Sequence, residues 1–287
     1  MPRKQTTGSK RWLFPVVMVT ALAVGGCFLW QSTQPQAQPT PTSQSASAPQ
    51  TTKSDRKHAY AGFPKSMKAA DVTFLQNTGY CVGYSETHKD PLWAVYRAFG
   101  VDNPTAHPRP KGFKTDLQTM SKVAQKGDGF FANGFDHGHM APNYVIDICY
   151  GEEAQRETFT MSNVCPQKSK LNENLWQRLE AKIAKDYNRQ FGEVWVTVGP
   201  IFGENGDKLP TGVEVPKAFY CIMVREDKGK PKALAFIVPH TARGDEQLKP
   251  FLVNIREVEK QTGLDFNADL DQQADDELET PTAPDLW

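Results

Sequence analysis

The sequence predicts an α+β fold, with strands and helices sharing one core, and three observations carry this. β-branched and aromatic runs bounded by turn residues recur at 79–85, 93–98, 194–202, 219–225 and 233–238, the signature of strands. Asp227-Lys228-Gly229-Lys230 fits a hairpin connection between the last two. Leu175, Trp176, Leu179, Ile183 and Tyr187 recur at helical spacing, with Gln177, Arg178, Lys182 and Lys185 among the polar positions. A chain of 287 residues, 39% hydrophobic, can bury one sizeable core and still carry tails.

Residues 1–11 are basic, with Arg3, Lys4, Lys10 and Arg11. Residues 12–30 are uncharged and run from Trp12 to Trp30, close to the roughly 20 needed to span a bilayer as a helix. This pattern predicts a membrane anchor with the N-terminus in the cytoplasm and the rest facing the periplasm or cell exterior. A lipoprotein signal competes, since Val24-Gly25-Gly26-Cys27 resembles a lipobox; a cleaved signal peptide fits less well. Phe28-Leu29-Trp30 extend the apolar run past Cys27 and favour the anchor. Residues 31–57, rich in Pro, Gln, Ser, Thr and Ala, read as a disordered linker. Residues 58–270 form the globular part, and the acidic stretch 271–287 is expected to be a disordered tail.

The formal net charge is zero, with a basic N-terminal end and an acidic C-terminal end. A strongly basic nucleic-acid binder is therefore excluded on net charge, and any cationic surface must be local. A Pro-rich loop at 107–112 carries Arg109 and Lys111. Asn254, with Glu257 three residues on, predicts a helix start with a capping box, and Gly263 its end. Cys81, Cys149, Cys165 and Cys221 lack zinc-type spacing, and outside the cytoplasm at least one disulfide is expected among them.

Chemistry concentrates in Asp136-His137-Gly138-His139 and in the stretch from Ser162 to Glu180. If the first is extended, His137 and His139 project to one face. Asn172 opens the helical run, and Glu180, eight residues on, returns to the same general side. A neutral imidazole can take a proton from water. An amide oxygen suits magnesium, which keeps several waters of its own, and a nearby carboxylate can orient those waters. A transition-metal site on His137 and His139 lacks an evident third ligand. For Asn172 a helix-cap role is compatible with ligation.

These segments resemble the non-specific DNA/RNA endonucleases of the ββα-metal, or His-Me finger, class. The family pattern Asp-Arg-Gly-His, Ser-Asn-x-x-Pro-Gln, Leu-Asn-x-x-x-Trp-x-x-Leu-Glu stands here as Asp136-His137-Gly138-His139, Ser162-Asn163-Val164-Cys165-Pro166-Gln167, and Leu171-Asn172 through Trp176 to Leu179-Glu180. The resemblance runs from about Tyr80 to Leu270. It implies a central antiparallel sheet flanked by helices, with a ββα-metal finger at the site. It also implies magnesium, with manganese as a substitute, and DNA and RNA as substrates. His139 matches the general base, Asn172 the direct metal ligand, and Glu180 the carboxylate reaching the metal's waters. Asn163 matches an asparagine that positions the histidine and phosphate. Lys111, or alternatively Arg109, matches a phosphate contact, and Arg178 is a candidate groove-facing cation.

Two positions depart from the pattern. His137 replaces the signature arginine, exchanging a permanently charged fork for a single donor. Ala184 stands where some members carry arginine, with Lys185 beside it. The expectation is a magnesium-dependent, membrane-tethered endonuclease. A catalytically impaired nucleic-acid-capture protein is the alternative, and cleavage of plasmid separates the two.

Overall fold

The computed structural model describes residues 58–67, 72–124 and 127–287. The predicted membrane anchor at 12–30 and linker at 31–57 lie outside the described residues. No helix among the described residues is long and apolar enough to cross a membrane.

Long apolar runs with β-branched side chains build a seven-stranded antiparallel sheet. Its strands are β2 (Val72–Gln76), β3 (Tyr80–Ser85), β4 (Asp90–Phe99), β7 (Glu193–Ile201), β8 (Ala218–Asp227), β9 (Lys230–Pro239) and β10 (Leu252–Val253). In space they run β10-β9-β8-β7-β4-β3-β2. All five predicted strands are present. The β8–β9 hairpin closes with Asp227 opposite Lys230. Lys228 and Gly229 both take positive φ, 53° and 75°, as a two-residue turn matching strand twist requires. Short strands β1 (Lys65–Ser66) and β11 (Leu264–Asp265) pair separately.

Successive side chains on a strand point to opposite faces, and both faces of this sheet are covered, so its strands are apolar throughout. From β8, Phe219, Cys221 and Met223 join one core, and Tyr220, Ile222 and Val224 the other. The first core is roofed by α1 (Asn143–Tyr150), α2 (Glu152–Glu157) and a helical segment over 171–191. In that segment Leu175, Trp176, Leu179, Ile183 and Tyr187 are buried, the spacing read from sequence. It passes through a π-helical stretch Leu171–Trp176, α3 (Gln177–Ala181), a second π stretch Lys182–Tyr187 and α4 (Asn188–Phe191), and stops at Gly192, φ 82°. The second core is covered by α5 (Ile255–Thr262) and α6 (Gln272–Glu279).

Asn254 caps α5 by accepting from Glu257 N at 2.8 Å, and Gly263 ends it at φ 71°. Glu257 turns instead to Gln261, so half of the expected capping box forms.

Two expectations are corrected. The acidic stretch after Leu270 is folded: Asp271 caps α6 by accepting from Ala274 N, and Leu278 is buried. Arg256 gathers Glu259, Asp275, Asp276 and Glu279, which removes the charge repulsion that argued for disorder. Trp287 then packs on Tyr187 and Phe191, with Arg225 over the Phe191 and Trp287 rings. None of Cys81, Cys149, Cys165 and Cys221 is in a disulfide. Cys81 lies in the core on one sheet face and Cys165 and Cys221 in the other, which separates Cys81 from both. Cys149 on α1 donates to Phe99 O.

Candidate active site

The finger begins with β5 (Asp136–His139) paired antiparallel with β6 (Val164–Gln167), and the helical segment from Leu171 follows. Gly138 is required here: a Cβ would stand 2.3 Å from Gln167 Oε1. Asn163, fully buried, braces the backbone just beyond His139. Its Oδ1 accepts from Ala141 N at 2.9 Å, and its Nδ2 donates to Ala141 O at 3.0 Å and Thr158 O at 3.1 Å. Its position fits the expected bracing of the histidine, but burial denies it a phosphate.

A cleft of about 990 Å³ opens over the finger, lined by His139, Asn172, Glu180, Asp136, Arg109 and Lys185 among others. The histidine, asparagine and carboxylate marked in the sequence thus face one space. His139 lies between Phe113 and Phe159, each ring centroid 5.1 Å away. Its Nε2 is buried without a hydrogen-bond partner. Burial, helped by the Arg109 and His137 charges, pushes its pKa down to about 3, so the ring is neutral with a lone pair to offer.

Asn172 is held by Asp136. Its Nδ2 donates to Asp136 Oδ2 at 3.0 Å, and Ser169 Oγ donates to Asp136 Oδ1 at 2.8 Å. A carboxylate only accepts, so it fixes which end of the amide faces it and leaves the amide oxygen for the cleft. Glu180 is half-buried, and its pKa is pushed up to about 8 by burial, with Arg109 opposing. A carboxyl so displaced lacks the positive charge that would keep it ionised.

Among the described residues no group of three or more His, Cys, Asp or Glu could cage a metal. One amide oxygen and one under-compensated carboxylate are nevertheless a fitting donor set for a hard divalent ion that keeps much of its hydration.

The cations sort differently from expectation. Arg109 lines the cleft with its guanidinium 5.5 Å from the Phe159 centroid, and Lys111 lies outside the lining. Arg178 borders the cleft, but its terminal nitrogens donate to Gly244 O, at 2.9 Å, and to Glu246 O, making it a tie between helix and loop. His137 forms a wall rather than a free donor. Its Nε2 meets Asp128 Oδ2 at 2.6 Å, and its ring is stacked between Phe113 and Phe130, each at 4.8 Å. An arginine's bidentate fork is thus replaced by a ring committed to a buried carboxylate. Lys185, the cation next to Ala184, does reach the cleft.

Sequence reasoning assigned no role to Asp136 or Asp128. Asp136 stood inside the quoted motif and could have been found as the partner that an amide ligand needs. Asp128 is nine positions from His137 across a glycine-containing turn, and no local signal joins them. Asp147 was also unread: buried on α1, it accepts from His107 N at 2.7 Å, contacts His107 Nδ1 at 2.8 Å and accepts from Gln155 Nε2 at 3.2 Å. It pins the loop that presents Arg109.

A finger of two strands and a helix, set against a seven-stranded sheet and presenting these side chains, matches a known sequence family. The profile of the DNA/RNA non-specific endonucleases aligns with residues 56–273, and the chain belongs to that family. It is 29% identical over 227 residues to the mitochondrial nuclease EXOG of Xenopus laevis, covering 74% of this chain and 62% of that protein. It is 30% identical to nuclease C1 of Cunninghamella echinulata var. echinulata, covering 69% and 84%, and 29% identical to mitochondrial endonuclease G of Bos taurus, covering 65% and 66%. The chain thus spans less than two thirds of the EXOG relative. A chain in the crystal structure of the EndoG/EndoGI complex superposes with a TM-score of 0.65 at 22% identity, covering 78% of this chain and 96% of that one, which shows the shared fold.

Proposed function

We propose that the chain is a magnesium-dependent endonuclease that hydrolyses phosphodiester bonds in DNA and RNA with little regard to sequence. The observation that carries this is the convergence, in one cleft, of the neutral His139 ring, the Asn172 amide oriented by Asp136, and the Glu180 carboxyl. His139 takes the proton from the attacking water, a role open to it because burial keeps the ring neutral. Arg109 and Lys185 draw in the backbone phosphate. Asn172, through its amide oxygen, and Glu180 would hold a divalent ion, which would supply positive charge for the phosphate and the departing 3′ oxygen. His137 and Asn163 hold the finger's shape, and neither is assigned to substrate.

Contacts made mainly to phosphates give little sequence preference and binding that weakens with salt. The uncharged run at 12–30 behind a basic segment supports a chain anchored in a membrane, with this domain on the far side from the cytoplasm. The test is incubation of purified protein with supercoiled plasmid and with RNA, in magnesium, manganese or chelator, and analysis of the ends formed. Metal-dependent nicking that leaves 5′-phosphates supports the reading. Metal-replete protein that binds but never cleaves overturns it in favour of capture.

A further inference from the structure

Two large aromatic side chains stay exposed inside the cleft that holds His139. Phe131 is 68% exposed and Tyr144 38%, and both line this cleft. Phe131 begins the turn Phe131–Asn133 just before β5, and Tyr144 is the second residue of α1 just after it. The strand carrying His139 therefore runs from one ring-bearing segment to the other.

Both rings are backed. Phe131 packs edge-on against His137 at 4.9 Å, and His137 is itself held between Phe113 and Phe130. Lys185 Nζ lies 6.0 Å from the Tyr144 centroid. The next residues on α1, Val145 and Ile146, are fully buried, so the helix turns Tyr144 outward by its own periodicity. Arg109 and Lys185 offer charge to phosphates in the same space.

Taking the cleft as a nucleic-acid site, as proposed above, we infer that Phe131 and Tyr144 are stacking platforms for unpaired bases flanking the scissile phosphate, so that the enzyme takes single-stranded nucleic acid in preference to duplex. Every base has a π-face, so stacking adds affinity without adding sequence preference. Bases in a duplex are already stacked on one another and must be pulled apart before a protein ring can help. The rings therefore favour single strands, while the cations serve both forms.

The test is binding by fluorescence anisotropy in chelator. The probes are a short labelled oligodeoxythymidine, the same backbone with abasic sites at the central positions, and a duplex of equal length. Wild type should bind the base-bearing strand more tightly than the abasic one. Phe131→Ala and Tyr144→Ala should each weaken the base-bearing strand roughly 5- to 100-fold, the span usual for losing one stacked base, and leave the other two probes little changed. Tyr144→Phe should behave as wild type. Equal binding of base-bearing and abasic strands by wild type overturns the inference without needing any variant. Cleavage of plasmid in magnesium, measured in parallel, keeps the two readings apart. Nicking without base-dependent binding rejects the platforms and keeps the nuclease, and base-dependent binding without nicking does the reverse.

Discussion

Glu180→Gln probes the metal side of the site through stability alone. In the metal-free protein, burial raises the Glu180 pKa from 4.5 to about 8. Between those values the native state holds a proton that the unfolded chain has released. Stability is therefore unaffected below the unfolded value, falls as pH rises through the window, and stays low above the folded value. At 1.36 kcal/mol per pKa unit the full span sets a ceiling of about 5 kcal/mol, and a cleft open to water brings the expected loss to about 2–3 kcal/mol. Glutamine has no proton to release and should lose that slope. The assay is urea unfolding in chelator at acid and mildly alkaline pH, comparing wild type with the variant so that other titrating groups cancel. Wild type should lose stability toward alkaline pH relative to the variant, and magnesium should restore the wild type far more than the variant. Parallel pH dependence in both proteins, or equal stabilisation by magnesium, would refute the reasoning.

Other outcomes follow from the same geometry. Asp136→Ala frees the Asn172 amide to rotate and should weaken magnesium affinity by roughly 10- to 100-fold, as loss of a partner orienting a metal ligand commonly does; magnesium titration of the cleavage rate checks it. Asn163→Ala removes three buried hydrogen bonds and should destabilise the fold by about 2–4 kcal/mol, read by chemical denaturation. Asp147→Ala releases the His107 loop and should raise KM for nucleic acid more than it lowers kcat. Combining it with Arg109→Ala should cost little beyond Arg109→Ala alone, because both act through one side chain.

Much of the fold was legible because its strands are long and buried on both faces, so β-branched runs such as 194–201 and 218–224 stand out, and Lys228-Gly229 marks their neighbour's turn. The helix over 171–191 declared itself through Leu175, Leu179 and Ile183, although its π-helical stretches are invisible to a periodicity count. Helix α6 was hidden because its acids look unpaired in sequence; the compensating Arg256 lies on another helix. In the candidate site, the convergence of His139, Asn172 and Glu180 on one cleft was readable because motif spacing sets them on one strand and one helix. What places Arg109 rather than Lys111 in the cleft lining, and what ties His137 to a carboxylate, is long-range packing by Phe159, Asp147 and Asp128, which local pattern does not encode.

The most direct test is the single-turnover rate of plasmid nicking in magnesium by wild type and by His139→Ala, with plasmid binding measured on the same samples. A loss of about 100-fold or more in rate at unchanged binding is the expected result for removal of a general base. Nicking by the variant at the wild-type rate would contradict it and would move the chemistry away from the finger.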